Sequence, residues 1–350
     1  HIGIANSVAL KHAGIGGGAV APAGGFIETD GQDQPTGMLA ETAMGLIQKH
    51  IPPPTEEDYR RMIHSAGEAL LATGVTSATD PAVMPGLMKV YRSMHASGAL
   101  PLRVNTLAIR LPDGGSEPLP LPEKTTGDWF RSEGVKFFAD GGLSGQTAAL
   151  RQPYRNSNNR GVLRLERESF FQMAKTAHEK GYRIGTHAIG DAAIELVLDV
   201  YQRLYRECGK GHRHRIEHLG LPDEEHLQRI KEMELITVPQ TIFLRELGAN
   251  FRKSLSSHYL HRCYPLRSVL DRGITVALSS DAPVVQSLNP LAGMAAAVNR
   301  FDDDGQPIAP KEAIHLAEAL KAYTIGGAEA DGVLDQKGSL SPGKWADMII

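Results

Sequence analysis

The sequence has little cysteine and no long hydrophobic run. Only Cys208 and Cys263 occur in 350 residues, too few for a disulfide framework. We therefore expect a reducing compartment and predict a cytoplasmic protein. Because the chain begins at His1 without a methionine, a signal peptide of a longer parent lies outside this prediction. No apolar run reaches the roughly 20 residues that a membrane-spanning helix needs, so no membrane association is expected.

An excess of positive charge is also missing. The chain carries 37 Lys and Arg against 40 Asp and Glu, a formal net charge of −3 at pH 7, which argues against a nucleic acid partner. The hydrophobic share of 41% and charged share of 22% are typical of a globular enzyme. We expect the partner to be a small-molecule substrate.

Short apolar or β-branched runs alternate with longer helical patterns, which predicts βαβ units and a parallel sheet. Helices are predicted at 56–72, 167–180 and 191–206. The strand-like runs are seven in number: 75–79, 102–109, 135–139, 183–187, 213–218, 235–239 and 275–279.

Seven strands are one short of a closed (β/α)₈ TIM barrel, and an open doubly wound sheet is the alternative. Polar residues favour the barrel because they cluster at the C-terminal ends of several strands, where barrel enzymes place their chemistry. Residues 24–39 predict a β-hairpin with a polar turn, which we interpret as an insertion on the catalytic face. The tail predicts a turn at 341–343 that leads into a new strand.

Four side chains near strand ends suggest chemistry. Lys136 lies within an apolar strand, where an ammonium is costly to bury; it either snorkels, pairs with Asp140, or reacts with CO₂ to give a carbamate that bridges metal ions. His187 and His218 close adjacent strands, and Asp281 follows the seventh. Taken singly, a strand histidine is usually a core residue and a Ser-Asp pair a helix cap. Together, they suit zinc or a similar divalent ion.

Three other polar residues in this region have simpler interpretations. Asp191 is expected to cap the following helix or to accept a hydrogen bond from an imidazole. His212 and His214 form a His-x-His pair, but at the beginning of their strand. That is the wrong end for catalysis, so we assign them no catalytic role.

The ordered motifs resemble a known family. They are Val-Lys-Phe-Phe-Ala-Asp-Gly-Gly at 135–142, Thr-His-Ala-Ile-Gly-Asp at 186–191, His-Arg-Ile-Glu-His at 214–218, Ser-Ser-Asp-Ala-Pro at 279–283 and Lys-Gly-Ser-Leu-Ser-Pro-Gly-Lys-Trp-Ala-Asp at 337–347. This set resembles the YtcJ-like amidohydrolases of the amidohydrolase superfamily, which include N-substituted formamide deformylases. The resemblance runs along the whole chain.

The resemblance implies metal ligation by Lys136 as a carbamate, His187, His218 and Asp281. The cofactor would be one or two divalent ions, with zinc expected, and Lys136, His218 and Asp281 would be catalytic. Asp281 would be the general base that takes a proton from metal-bound water and returns it to the leaving amine.

The resemblance also implies a domain division. Residues 1–335 would form the metal-dependent hydrolase barrel, with the insertion around 13–55, and residues 336–350 would begin a C-terminal β-sandwich. The family's His-x-His on the first barrel strand would lie before His1, so we expect that strand to be absent from this chain.

The favoured function is hydrolysis of an amide, formamide or similar non-peptide C–N bond in a small molecule. A deaminase of the same superfamily is one alternative, although such enzymes usually lack the strand lysine. The other is a catalytically silent scaffold or regulator, which would typically lose ligands. The loops after the strands would line the pocket, with Gln146, Thr147, Arg245 and Arg252 as candidates. Such barrels can pair, so a homodimer is an open alternative.

Overall fold

The computed structural model of the chain describes residues 2–112 and 117–349. Two sheets are present in this part of the chain. Their strands are β1 Ile2–Ile4, β2 Gly25–Thr29, β3 Pro35–Glu41, β4 Ser77–Val83, β5 Arg103–Ile109, β6 Thr125–Thr126, β7 Phe130–Phe138, β8 Arg183–Ala188, β9 Arg215–His218, β10 Ile236–Val238 and β11 Thr275–Val276.

Helices connect the strands and cover the larger sheet. They are α1 Ser7–His12, α2 Gly45–Gln48, α3 Glu56–Ala72, α4 Pro85–Ala96, α5 Arg167–Glu179, α6 Asp191–Cys208, α7 Glu224–Glu232, α8 Ile242–Glu246, α9 Gly248–Ser254, α10 Ser257–Leu260, α11 Leu266–Asp271, α12 Pro290–Asn299, α13 Leu316–Lys321 and α14 Gly327–Asp331. Within the described residues, no helix is long and apolar enough to cross a bilayer.

The larger sheet confirms the predicted parallel α/β organisation. Its main strands run in the order β4-β5-β7-β8-β9-β10-β11, and all these pairs are parallel. Each of the seven predicted strand runs overlaps one of them. The short strand β6 adds an antiparallel pair to β7. Strand order follows chain order, as expected when each strand is joined to the next by a right-handed crossover.

The three predicted helices also form. The first, α3, has the predicted bounds, and it begins with a capping box in which Thr55 and Asp58 satisfy each other's backbone amides. Helices α5 and α6 pack together over β7, β8 and β9. Phe137, Ile184 and Ile216 from the strands are fully buried there beneath Phe170 and Tyr201 of the helices.

The sheet has two edge strands in the described structure, because β4 and β11 each pair with a single neighbour. The seven parallel strands therefore form a curled, open sheet. Closure of the predicted eight-stranded barrel remains a prediction.

The N-terminal hairpin forms as predicted from β2 and β3, and β1 pairs with the other side of β3. The strand β1 is not evident from the sequence, because three residues are too short to show an alternation. Glu41, the last residue of β3, is fully buried, so this small sheet reaches the interior of the molecule.

The C-terminal tail differs from the prediction. Residues 345–349 form no strand within the described structure; the Trp345 amide donates to the Gln336 carbonyl at 2.8 Å, and the side chains of Trp345 and Asp347 contact Arg103 at the N-terminal end of β5. The guanidinium of Arg103 lies between the rings of Trp129 and Trp345, at 4.8 and 4.0 Å from their centres, and pairs with Asp347 at 2.7 Å.

Candidate metal centre

Two histidines meet at the C-terminal ends of β8 and β9. The ring centres of His187 and His218 are 4.4 Å apart, with the planes at 67°, and both side chains are buried. The parallel register places His187 beside Glu217 and His218 beside Ala188. Strict alternation would therefore put the two histidines on opposite faces. A φ of 72° at His218 breaks the alternation where the strand ends.

Lys136 lies on the neighbouring strand β7, two residues below the level of His187, because the register pairs it with Gly185 and pairs Phe138 with His187. Its side chain is 3% exposed, and its amine stands 4.8 Å from the centre of the Phe138 ring. Burial lowers the pKa of Lys136, and the carboxylates of Glu217 and Asp281 oppose that shift. The lysine therefore does not snorkel to solvent.

Pairing of Lys136 with Asp140 is not what the structure shows. The Asp140 carboxylate accepts hydrogen bonds from the backbone amides of Ala149, Ile189 and Gly190 at 2.8 to 3.0 Å. These bonds tie the loop after β7 to the loop after β8. Asp140 thus fixes the backbone around His187.

Glu217 and Arg215, both on β9, form a buried ion pair. The Arg215 Nε donates to Glu217 at 2.6 Å, and the two side chains are 4% and 6% exposed. Burial by itself raises the pKa of Glu217, but Arg215 and Lys136 more than offset it, so that the pKa lies below its usual value. Glu217 is therefore a fixed negative charge beside Lys136.

His218 is oriented by Gln240, which lies in the loop after the next strand, β10. Its Nδ1 is 2.5 Å from Gln240 Oε1, and the Gln240 amide donates to Ser279 Oγ at 2.8 Å. Burial lowers the pKa of His218, which favours the neutral imidazole that can bind a metal. With Nδ1 held by Gln240, Nε2 is the nitrogen of His218 placed for ligation.

His187 is anchored through Nε2, which lies 3.1 Å from the carbonyl oxygen of Gly141 and 3.3 Å from Asp140 Oδ1. Asp140 thus takes the position that the sequence assigned to Asp191. Asp191 neither caps its helix, whose N-cap is Gly190, nor contacts the imidazole. Its carboxylate instead binds the backbone of Arg151 and the side chains of Tyr259 and Arg262.

Asp281 follows β11 with a φ of 54° and is half-buried. Its negative charge raises the pKa of both Lys136 and His218, against the lowering effect of their burial. It does not cap a helix, because the next helix, α12, begins later and is capped by Asn289.

The types of side chain at this site, two imidazoles near a lysine and an aspartate, are suited to binding a divalent ion. Two imidazoles that converge while their other nitrogens are held by neighbouring groups match the arrangement of zinc-binding histidines. Within the described residues, no three His, Cys, Asp or Glu side chains come close enough to hold a metal. The two histidines would therefore need Lys136, carried as a carbamate, or a shift of Asp281 to complete a site.

The predicted pocket residues fall into two groups. Thr147 is buried and donates to the backbone around Gly142, beside Glu41; Gln146 is in the same loop. Arg245 and Arg252 form ion pairs with Asp303 and Asp302, and Arg245 borders a cavity of about 420 Å³ with Glu246, Gln286, Ser287 and Asp303.

Sequence reasoning missed Glu41, Arg164 and Gln240. The first comes from the hairpin and the other two from loops, where no periodicity marks a buried residue. The only available signal was Gln240 directly after a predicted strand.

The fold and the sequence are both similar to those of known proteins. The fold is similar to that of an uncharacterized metal-dependent hydrolase from Pyrococcus furiosus, with a TM-score of 0.77 and 25% identity over 99% of this chain and 69% of that one. The chain is 30% identical to an N-substituted formamide deformylase of Arthrobacter pascens, over 100% of this chain and 66% of that protein. It is 29% identical to YtcJ of Bacillus subtilis, a protein named as an amidohydrolase, over 99% and 66%.

A fold shared with metal-dependent hydrolases defines the class. The chain matches the profile of the amidohydrolase family over residues 1–350, and it belongs to that family. It spans 66% of the length of each of the two curated relatives named above.

Proposed function

We propose that the protein containing this chain is a metal-dependent amidohydrolase that cleaves an amide or formamide C–N bond in a small molecule. The observation that carries the proposal is the convergence of the His187 and His218 rings at 4.4 Å, on β8 and β9, with the buried Lys136 on β7, the strand beside β8. The formamide deformylase relative makes N-substituted formamides the first substrates to test.

The ligands proposed are His187, His218, Lys136 as a carbamate, and Asp281. Zinc is the ion expected for two imidazoles and oxygen donors. A divalent ion here would act as a Lewis acid that polarises the scissile carbonyl and lowers the pKa of water. The carbamate forms when the neutral amine of Lys136 adds to CO₂ and releases a proton.

Asp281 is the proposed proton carrier. Its half-buried carboxylate takes a proton from the attacking water and delivers it to the nitrogen of the leaving amine, so that water and the amide give a carboxylic acid and an amine. Gln240 keeps His218 in one tautomer during the reaction, and the Glu217–Arg215 pair holds a fixed charge beneath Lys136. These residues orient the site without exchanging protons.

In the same proposal, the sheet is part of a (β/α)₈ barrel in which a further strand lies between β4 and β11, and residues 336–350 lead into a β-sandwich. Both features would lie partly outside the chain described.

The experiment is an assay of the full-length protein on N-substituted formamides and simple amides, with a Lys136→Ala variant. We expect amine release by the wild type, its loss in the variant, and partial recovery when a small carboxylic acid is added in place of the carbamate. An active Lys136→Ala variant would remove the carbamate from the proposal. A wild type that releases ammonia from a ring amine, and no amine from amides, would indicate a deaminase.

A further inference from the structure

A buried ion pair joins the N-terminal hairpin to the loop after β7. Arg164 Nη1 is 3.3 Å from Glu41 Oε2, and the two side chains are 7% and 0% exposed. Neither residue belongs to the proposed ligand set. Burying two charges is costly unless their geometry is well matched, so the pair calls for a reason beyond stability.

The backbone of Glu41 is in a strained conformation. It has φ 52° and ψ −128°, a conformation that residues other than glycine rarely adopt. The surrounding contacts must therefore determine it. A Cβ atom at Gly141 would overlap the Glu41 carboxylate and the Thr147 hydroxyl, so the carboxylate rests directly against the Gly141 backbone.

Gly141 connects this contact with the metal centre. Its carbonyl oxygen lies 3.1 Å from His187 Nε2, so the group that anchors His187 is covered on its other side by Glu41. Glu41 therefore lies one residue contact away from a group that, together with Asp140, holds the His187 imidazole.

Arg164 reaches the same centre by a second route. Its guanidinium lies 5.2 Å from the centre of the Phe138 ring, and its backbone amide donates to Ala139 at 2.8 Å. The same Phe138 ring is 4.8 Å from the Lys136 amine and 5.4 Å from the His187 ring. Arg164 thus backs the aromatic ring against which both proposed ligands pack.

We propose that Glu41 and Arg164 are positioning residues: together they clamp the segment Phe138–Gly141 and so hold His187 and Lys136 in the geometry that binds the metal. The inference rests on the proposed function for the identity of the ligands. The hairpin that carries Glu41 is, in this proposal, part of the metal centre's supporting shell.

The test uses Glu41→Gln in the full-length protein, which removes the charge and keeps the shape. The matched control is Asp347→Asn, which breaks the Arg103–Asp347 pair (14% and 22% exposed) at the opposite end of the sheet. Metal affinity is measured by chelator competition, and hydrogen exchange of residues 25–41 and 137–142 is measured in metal-free protein.

We expect Glu41→Gln to weaken metal binding about 10-fold or more, the usual effect of losing a supporting group, and to accelerate exchange in both segments. Asp347→Asn should do neither, even if it lowers the melting temperature equally. Arg164→Lys, which keeps the cation but loses the forked guanidinium, should act in the same direction and decides the matter if Glu41→Gln does not fold.

Metal affinity within about twofold of wild type, together with unchanged exchange in Glu41→Gln or, failing that, in Arg164→Lys, overturns the proposal. A wild type that binds no metal would instead overturn the proposed function. In that event the exchange experiment on metal-free protein still decides whether the pair clamps the segment.

Discussion

The proposed role of Asp281 can be tested by a single substitution. If its carboxylate carries the proton between water and the leaving amine, Asp281→Asn should lower kcat by about 10² or more, the contribution of a general acid–base group. The fold should survive because the side chain is half-buried and caps no helix. Steady-state kinetics and metal content of the full-length protein provide the measurement. Ser280→Ala is the control, and near-normal turnover in Asp281→Asn would refute the proton-carrier role.

At the scale of residues, the sequence predicted candidate ligands that the structure places near one another, but it did not predict the residues that contact them. Lys136, His187 and His218 were predictable because strand ends are visible as apolar runs that stop at polar residues. Their partners were not. Asp140, rather than Asp191, anchors His187, because the choice depends on how two loops pack. Glu41 reaches the site from a hairpin about a hundred positions away in the chain, a distance that no local pattern spans.

The element β9 carries a buried histidine relay at its beginning. The Ile184 amide donates to His214 Nδ1 at 3.1 Å, His214 Nε2 is 3.0 Å from His178 Nδ1, and His178 Nε2 is 3.1 Å from the Gly209 carbonyl. Every ring nitrogen has a partner only when both imidazoles are neutral. His214 thus has the structural role that its place at the start of the strand suggests.

This relay makes β9 sensitive to acid. Burial, with nearby His178, His212 and Arg183, lowers the pKa of His214 well below 6.5. Below pH 6.5 the unfolded chain therefore binds a proton that the folded chain does not, and stability falls by about 1.4 kcal/mol per pH unit. His214→Gln should reduce the loss in unfolding free energy between pH 7 and pH 5 measured by urea titration. The exposed His64 provides the control: His64→Gln should keep the wild-type slope, and an unchanged slope in His214→Gln would refute the relay.

The seven strands were predictable because each overlaps a short apolar or β-branched run, and the segments between these runs include patterns with the 3.6-residue period of helices. Very short elements were not: β1 has three residues and draws its stability from pairing with β3. The tail was predicted as a strand, yet Trp345 and Asp347 bind Arg103 instead. A strand forms only when another strand is available to pair with it, and the sequence of one segment does not show which strand that will be.

At the scale of the whole molecule, the proposed metal ligands and the contacts that hold the strand beginnings lie at opposite ends of the parallel sheet. The proposed ligands lie at the C-terminal ends of the parallel strands, and a separate set of polar contacts lies at the other end, the end that in barrel enzymes serves stability. There Asp331 of α14 accepts hydrogen bonds from Thr79 and Asn105 at 2.6 and 3.0 Å. Substitutions at that end should change stability without changing the reaction.

The two edge strands give a prediction about the isolated chain. Residues 1–350 expressed alone expose the edges of β4 and β11, which are templates for pairing with other chains. We expect a lower melting temperature and more light scattering than for the full-length protein at equal concentration. Equal melting temperatures and no scattering would show that the open sheet is stable without a further strand.

The central claim is that His187 and His218 bind a catalytic metal, and the most direct test is the metal content of the purified full-length protein. We expect one or two divalent ions per chain, zinc above all, in the wild type. The His187→Ala, His218→Ala double variant should lose metal and activity by orders of magnitude, because two of the nitrogen donors are gone. A double variant that folds and keeps its full complement of metal would show that these histidines do not bind the metal.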